Sequence, residues 1–157
     1  MRKASWIVAI ASVVFTLGVI VPACAQAQDI SKTETAGKYS ITLKVLPAES
    51  FSGPKTEMVR DGGAPAVELN GPEQPNHHLV AFLKEDDKPV EKAAVTISYR
   101  EGSSGKWTRL PVVQMHEAGK GVDTTHFGNN VKLAPGNYEV KVTVNGGAPA
   151  MFQITLS

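Results

Sequence analysis

The sequence predicts an all-β sandwich of about seven to eight antiparallel strands. Short stretches of alternating apolar and polar residues recur along the chain, with turn chemistry between them. No stretch carries a long helical period. The third observation is local. In Leu133-Ala134-Pro135-Gly136-Asn137-Tyr138 a tyrosine enters a late strand directly after a Pro-Gly turn. That is the sequence form of a tyrosine corner and marks the sandwich as Ig-like.

The N-terminus stands apart from this pattern. Arg2 and Lys3 precede an apolar run over 4–23, and Ala25-Gln26-Ala27 offers small residues where a signal peptidase reads. Residues 1–27 are therefore expected to be a signal peptide, and 28–157 a single exported domain in the periplasm. A membrane span is the alternative reading of the apolar run. A lipid anchor at Cys24 is the alternative to a freely exported form, but Pro22 fits a lipoprotein box poorly. Cleavage before Gln28 would leave about 130 residues, enough for one ordinary domain. It would also remove the chain's only cysteine, and with it any disulfide, thiolate ligand or thiol catalysis.

The strands then follow in order. Residues 38–46 place Tyr39, Ile41, Leu43 and Val45 on one face. The stretch 47–76 is a long connection carrying Pro47, Pro54, Pro65, Pro72 and Pro75, with a short, weak strand candidate at 66–70. Residues 77–85, HHLVAFLKE, are apolar on both faces, as a central strand would be. Residues 93–100 alternate Val95, Ile97 and Tyr99. Residues 106–115 contain Pro111, which predicts an edge or bulged strand. Residues 137–145 bury Tyr138, Val140 and Val142, and residues 150–156 bury Phe152, Ile154 and Leu156.

Charge and motif content leave several functions without support. The chain has 16 basic and 15 acidic residues, and losing Arg2 and Lys3 leaves 14 against 15. A near-neutral domain gives no electrostatic reason to bind nucleic acid. Gly-x-Ser-x-Gly, a phosphate-cradling glycine loop and His-Glu-x-x-His are all missing, and no acid–base pair is recognisable. The expectation is a non-enzymatic protein.

Histidine and methionine remain. His77 and His78 open the central strand, Met115 and His116 close the Pro111 strand, and His126 precedes the tyrosine corner. Imidazole suits copper, zinc, iron and nickel, and thioether favours copper, especially Cu(I). Neighbours on a strand point to opposite faces. One residue of each adjacent pair can therefore share a site with His126. Met58 and Met151 read as packing. The competing reading makes these histidines solvated strand ends and Met115 a core filler.

His126-Phe127-Gly128-Asn129-Asn130, followed by Pro135-Gly136-Asn137-Tyr138, resembles the C-terminal signature of the periplasmic ferrous-iron transport accessory proteins. His78-Leu79-Val80 resembles the start of their upstream His-Leu-Glu ligand strand. The resemblance implies an Ig-like sandwich binding a copper or iron ion, a membrane permease or metal chaperone as partner, and a homodimer. It carries His78 and His126 over as ligands. Two departures stand out. Leu110-Pro111-Val112 occupies the place of the family's Met-Pro-Met, and Val80 replaces its glutamate. Met115, His116 and His77 are the residues at hand to complete the set. Asp87-Lys88-Pro89-Val90 with the late Pro-Gly-x-Tyr is also similar to small exported copper-associated Ig-like domains. The expected function is a periplasmic metal-binding accessory protein. The alternative is a metal-free Ig-like binding or assembly module of the cell envelope.

Overall fold

The computed structural model describes residues 29–49, 75–117 and 120–157. The signal-peptide segment 1–27 with Cys24, the strand candidate at 66–70, Met58 and most of the 47–76 connection lie outside the described residues.

Two antiparallel sheets face each other. The first holds β1 (Ile30–Ala36), β2 (Tyr39–Pro47), β3 (His77–Glu85), β8 (His126–Val131) and β7 (Val113–Met115) side by side in that order, with the two-residue β4 (Lys88–Pro89) paired to β3. The second holds β10 (Ala150–Leu156), β9 (Gly136–Val144), β5 (Val95–Glu101) and β6 (Thr108–Leu110). This is the Ig-like sandwich architecture, with ten strands among the described residues rather than the seven to eight expected.

The difference has four sources, one of them the two-residue β4, too short to show any alternation. The polar strand β1 shows no apolar alternation, because five consecutive residues of it are exposed. The single strand expected over 106–115 is two short strands in different sheets. Pro111 cannot donate to a ladder, and there the chain turns the corner from one sheet to the other. The last source is β8, six residues of strand where the sequence predicted none.

The alternations read from the sequence hold. Ile41, Leu43, Val45, Val140, Val142, Phe152 and Ile154 are all buried between the sheets. Residues His78 to Ala81 are buried whichever face they point to, as expected of a strand flanked by β2 and β8. The tyrosine corner closes as predicted, with the Tyr138 hydroxyl donating to the Ala134 carbonyl at 3.1 Å. The two-residue connection between β3 and β4 uses left-handed backbone at Asp86 and Asp87, and the longer β9–β10 connection opens with left-handed Asn145-Gly146.

Candidate metal site

The ladder between β3 and β8 fixes which histidines can meet. In β8, Phe127 and Val131 turn into the core. Alternation then sends His126, Gly128 and Asn130 to the outward face of the six-stranded sheet. The register pairs His78 with Asn130 and Val80 with Gly128, so His78 shares that face. On the other side of β8, Met115 pairs with His126. His78, His126 and Met115 therefore lie on one face of three neighbouring strands.

The two imidazoles start four residues apart along the ladder, which is about 13 Å of strand. Their ring centres are nevertheless 5.7 Å apart, with planes at 89°. Both rings therefore lean toward each other along the sheet. A Cβ on Gly128 would sit 2.1 Å from the Leu79 carbonyl oxygen and 2.7 Å from Val80 Cγ1. The glycine is required by the close approach of β8 to β3 at the midpoint between the histidines.

Each ring is held by its Nδ1. His126 Nδ1 donates to the Thr124 carbonyl at 2.8 Å, and a carbonyl can only accept. That carbonyl belongs to the 3-10 turn Val122–Thr124, pinned by Thr124 Oγ1 donating to the Gly121 carbonyl and accepting from Glu117 N–H. His78 Nδ1 lies 2.8 Å from Asn130 Oδ1. The Asn130 amide orientation follows from its other bonds: Nδ2 donates to the Glu49 carbonyl and Oδ1 accepts from the Glu49 N–H. The atom facing His78 is thus an oxygen, and His78 Nδ1 carries the proton. Both imidazoles present Nε2 as the lone-pair nitrogen, with a carbonyl-type oxygen behind each ring. That is how ligand histidines are oriented at metal sites.

His78 is fully buried. Burial, above all, holds its imidazole below the ordinary value of 6.5; the neighbouring His126 adds to the effect, while Glu49 and Asn130 oppose it. The ring is neutral near pH 7, the form that binds metal. Phe82 packs on His126 at 5.0 Å between ring centres, and the Lys44 ammonium rests 4.6 Å from the Phe82 ring centre.

The remaining expected donors are placed differently. His77 alternates to the opposite face from His78, and its Nδ1 is 2.8 Å from Asn76 Oδ1. His116 lies past the end of β7 and is exposed, while Met115 holds the position opposite His126. Val80 is buried beside Gly128 and offers no donor. Among the described residues, no three histidine, cysteine or carboxylate side chains converge into a ready-made metal group. The two imidazoles approach each other, and Met115 holds the ladder position opposite His126. Sequence reasoning missed Asn130, Phe82 and Glu49. The alternation of His126, Gly128 and Asn130 against Phe127, Asn129 and Val131 was the available signal for β8.

The architecture is an Ig-like β-sandwich, with the His78–His126 imidazole pair on the outer face of one sheet. The chain shares its fold with FetP of uropathogenic Escherichia coli. A copper-bound variant of FetP, with one glutamate changed to glutamine, aligns over 83% of this chain and 95% of its own, at a TM-score of 0.53 and 13% identity. FetP as isolated after expression in the periplasm aligns over 84% and 98%, at 0.50 and 15%. No known protein family matches the sequence, and no curated protein matches it.

Proposed function

We propose that this chain is an exported, non-enzymatic metal-binding accessory protein for copper or iron handling, and that copper is the metal its described donors suit best. One observation carries the reading: His78 and His126 lean together, each with Nδ1 fixed, and Met115 holds the ladder position opposite His126. Two imidazoles with a thioether favour copper, Cu(I) in particular, over zinc or magnesium. The copper-bound FetP structure on the same fold supports the choice. Open positions on the ion would go to water, to a permease or chaperone receiving the metal, or to a second copy in a homodimer.

The test is copper titration of the domain 28–157, wild type beside His126→Ala, read by thermal melting. A ligand that binds only the folded state adds about 2.7 kcal/mol at a hundredfold excess over its Kd. For a domain of this size each kcal/mol raises Tm by roughly 2–8 °C. The expected result is a rise in the wild type that His126→Ala abolishes.

The T-shaped His78–His126 contact and the Phe82–His126 stack also favour a second reading, a packed aromatic patch on a metal-free envelope module. Absence of any rise with copper, ferrous or zinc ions would select it.

A further inference from the structure

The resemblance to the iron-transport accessory proteins puts a ligand glutamate at the position of Val80, and Val80 is buried and apolar. The structure brings a carboxylate to the site from another strand. Glu49 lies two residues past the end of β2. Its Oε2 is 3.8 Å from His78 Nε2.

We infer that Glu49 is the carboxylate ligand of this site, replacing on β2's exit the donor that β3 lacks. The inference rests on the metal reading above.

Three observations carry it. The first is distance. At 3.8 Å the two atoms are too far apart for a hydrogen bond. Two donors each about 2.0–2.2 Å from one ion lie roughly 2.8–4.3 Å apart, depending on the angle between them. The second is orientation: His78 Nδ1 donates to Asn130 Oδ1, which turns Nε2 toward the carboxylate. The third is positioning. Asn130 grips Glu49 by both its backbone groups, accepting from N–H at 3.2 Å and donating to the carbonyl at 2.6 Å. The same Oδ1 takes the His78 Nδ1 proton. One amide therefore fixes the imidazole and the root of the carboxylate together. The Glu49 side chain is half exposed, which leaves it room to swing onto an ion.

The hard oxygen donor gives the site a dependence on oxidation state. Carboxylate strengthens binding of Cu(II) far more than of Cu(I), which the imidazoles and thioether already suit. Glu49 is thus the ligand engaged with the oxidised ion.

The experiment titrates wild type, Glu49→Gln, Glu117→Gln and His126→Ala with copper(II) salt, and with Cu(I) under anaerobic conditions, using competing chelators. Electron paramagnetic resonance of the Cu(II) forms is recorded alongside. Glu117 is an exposed carboxylate near Met115, so its variant removes the same charge without removing the proposed ligand. Glu49→Gln is expected to weaken Cu(II) at least tenfold and shift its resonance parameters, with Cu(I) changed less than threefold and Glu117→Gln like wild type. If Cu(II) binds Glu49→Gln as tightly as wild type while His126→Ala fails to bind, the metal reading stands and the role of Glu49 falls. Equal losses in the two glutamine variants would reduce Glu49 to a background charge and overturn the inference. Wild-type protein that binds no copper would remove both. Apo melting curves matching wild type exclude misfolding as the cause.

Discussion

Asn130 Oδ1 lies 2.8 Å from His78 Nδ1, and the same amide bridges to both backbone groups of Glu49. A single side chain on β8 thus ties the central strand β3 to the exit of β2. Replacing it by alanine removes the acceptor of a buried imidazole N–H and releases Glu49. Leaving a buried donor without its acceptor costs about 1–3 kcal/mol. Asn130→Ala is expected to lose that much in urea denaturation and to bind copper more weakly than wild type by roughly tenfold or more, as when the partner orienting a ligand histidine is removed.

Gly128 is the second point where the site and the sheet depend on each other. Its Cβ would collide with the backbone of Leu79 and Val80. Gly128→Ala must push β8 from β3, and overpacking of this kind costs about 1–3 kcal/mol. The expected outcome is a lower denaturation midpoint together with a changed imidazole environment. Both can be followed in one sample by recording histidine ring resonances during the titration.

Met115 separates chemistry from packing. It is half-buried on an edge strand, and leucine has nearly its volume, so Met115→Leu should cost less than about 1.5 kcal/mol. The thioether is lost entirely. Anaerobic Cu(I) titration is expected to show affinity reduced roughly tenfold, with Cu(II) affinity much less affected. Equal affinities for Cu(I) in the two proteins would remove Met115 from the donor set.

The metal-free protein should be sensitive to mild acid. Burial is the main cause that holds His78 below 6.5, and burial alone does the same for His77. An unfolded chain protonates these rings near pH 6.5, the folded chain only at lower pH. Their contribution is therefore complete above pH 6.5 and is lost as the pH falls below it toward the folded values. Urea midpoints of the apo protein should be flat above about pH 7 and decline below 6.5. In His78→Gln the decline should shrink, leaving the part due to His77.

Much of the scaffold was legible because one face of a half-buried strand must alternate. Tyr39 to Val45, Tyr138 to Val142 and Phe152 to Leu156 announced themselves in that way, and Pro-Gly-x-Tyr announced the corner. β1 was silent because its residues are polar on both faces. β8 was hidden because its outward row is His126, Gly128 and Asn130, residues that read as a loop when their pairing partners are unknown. The site was half legible. Alternation allowed one residue from each of the pairs His77/His78 and Met115/His116, and the register selects His78 and Met115. Glu49 carried no signal, since its place beside His78 comes from a strand exit more than twenty-five residues upstream in sequence.

The corner at Pro111 has a bearing on how the protein assembles. β6 belongs to one sheet and β7 to the other, so Met115 reaches His126 only when the chain has crossed the interior and both layers have closed on Leu110 and Val112. His78 arrives from a distant part of the chain and joins through β8, the strand that β7 also needs. A partly assembled molecule owns the three side chains but cannot gather them. On the metal reading proposed above, occupancy would count finished molecules, and loading would be the last event of maturation rather than its seed.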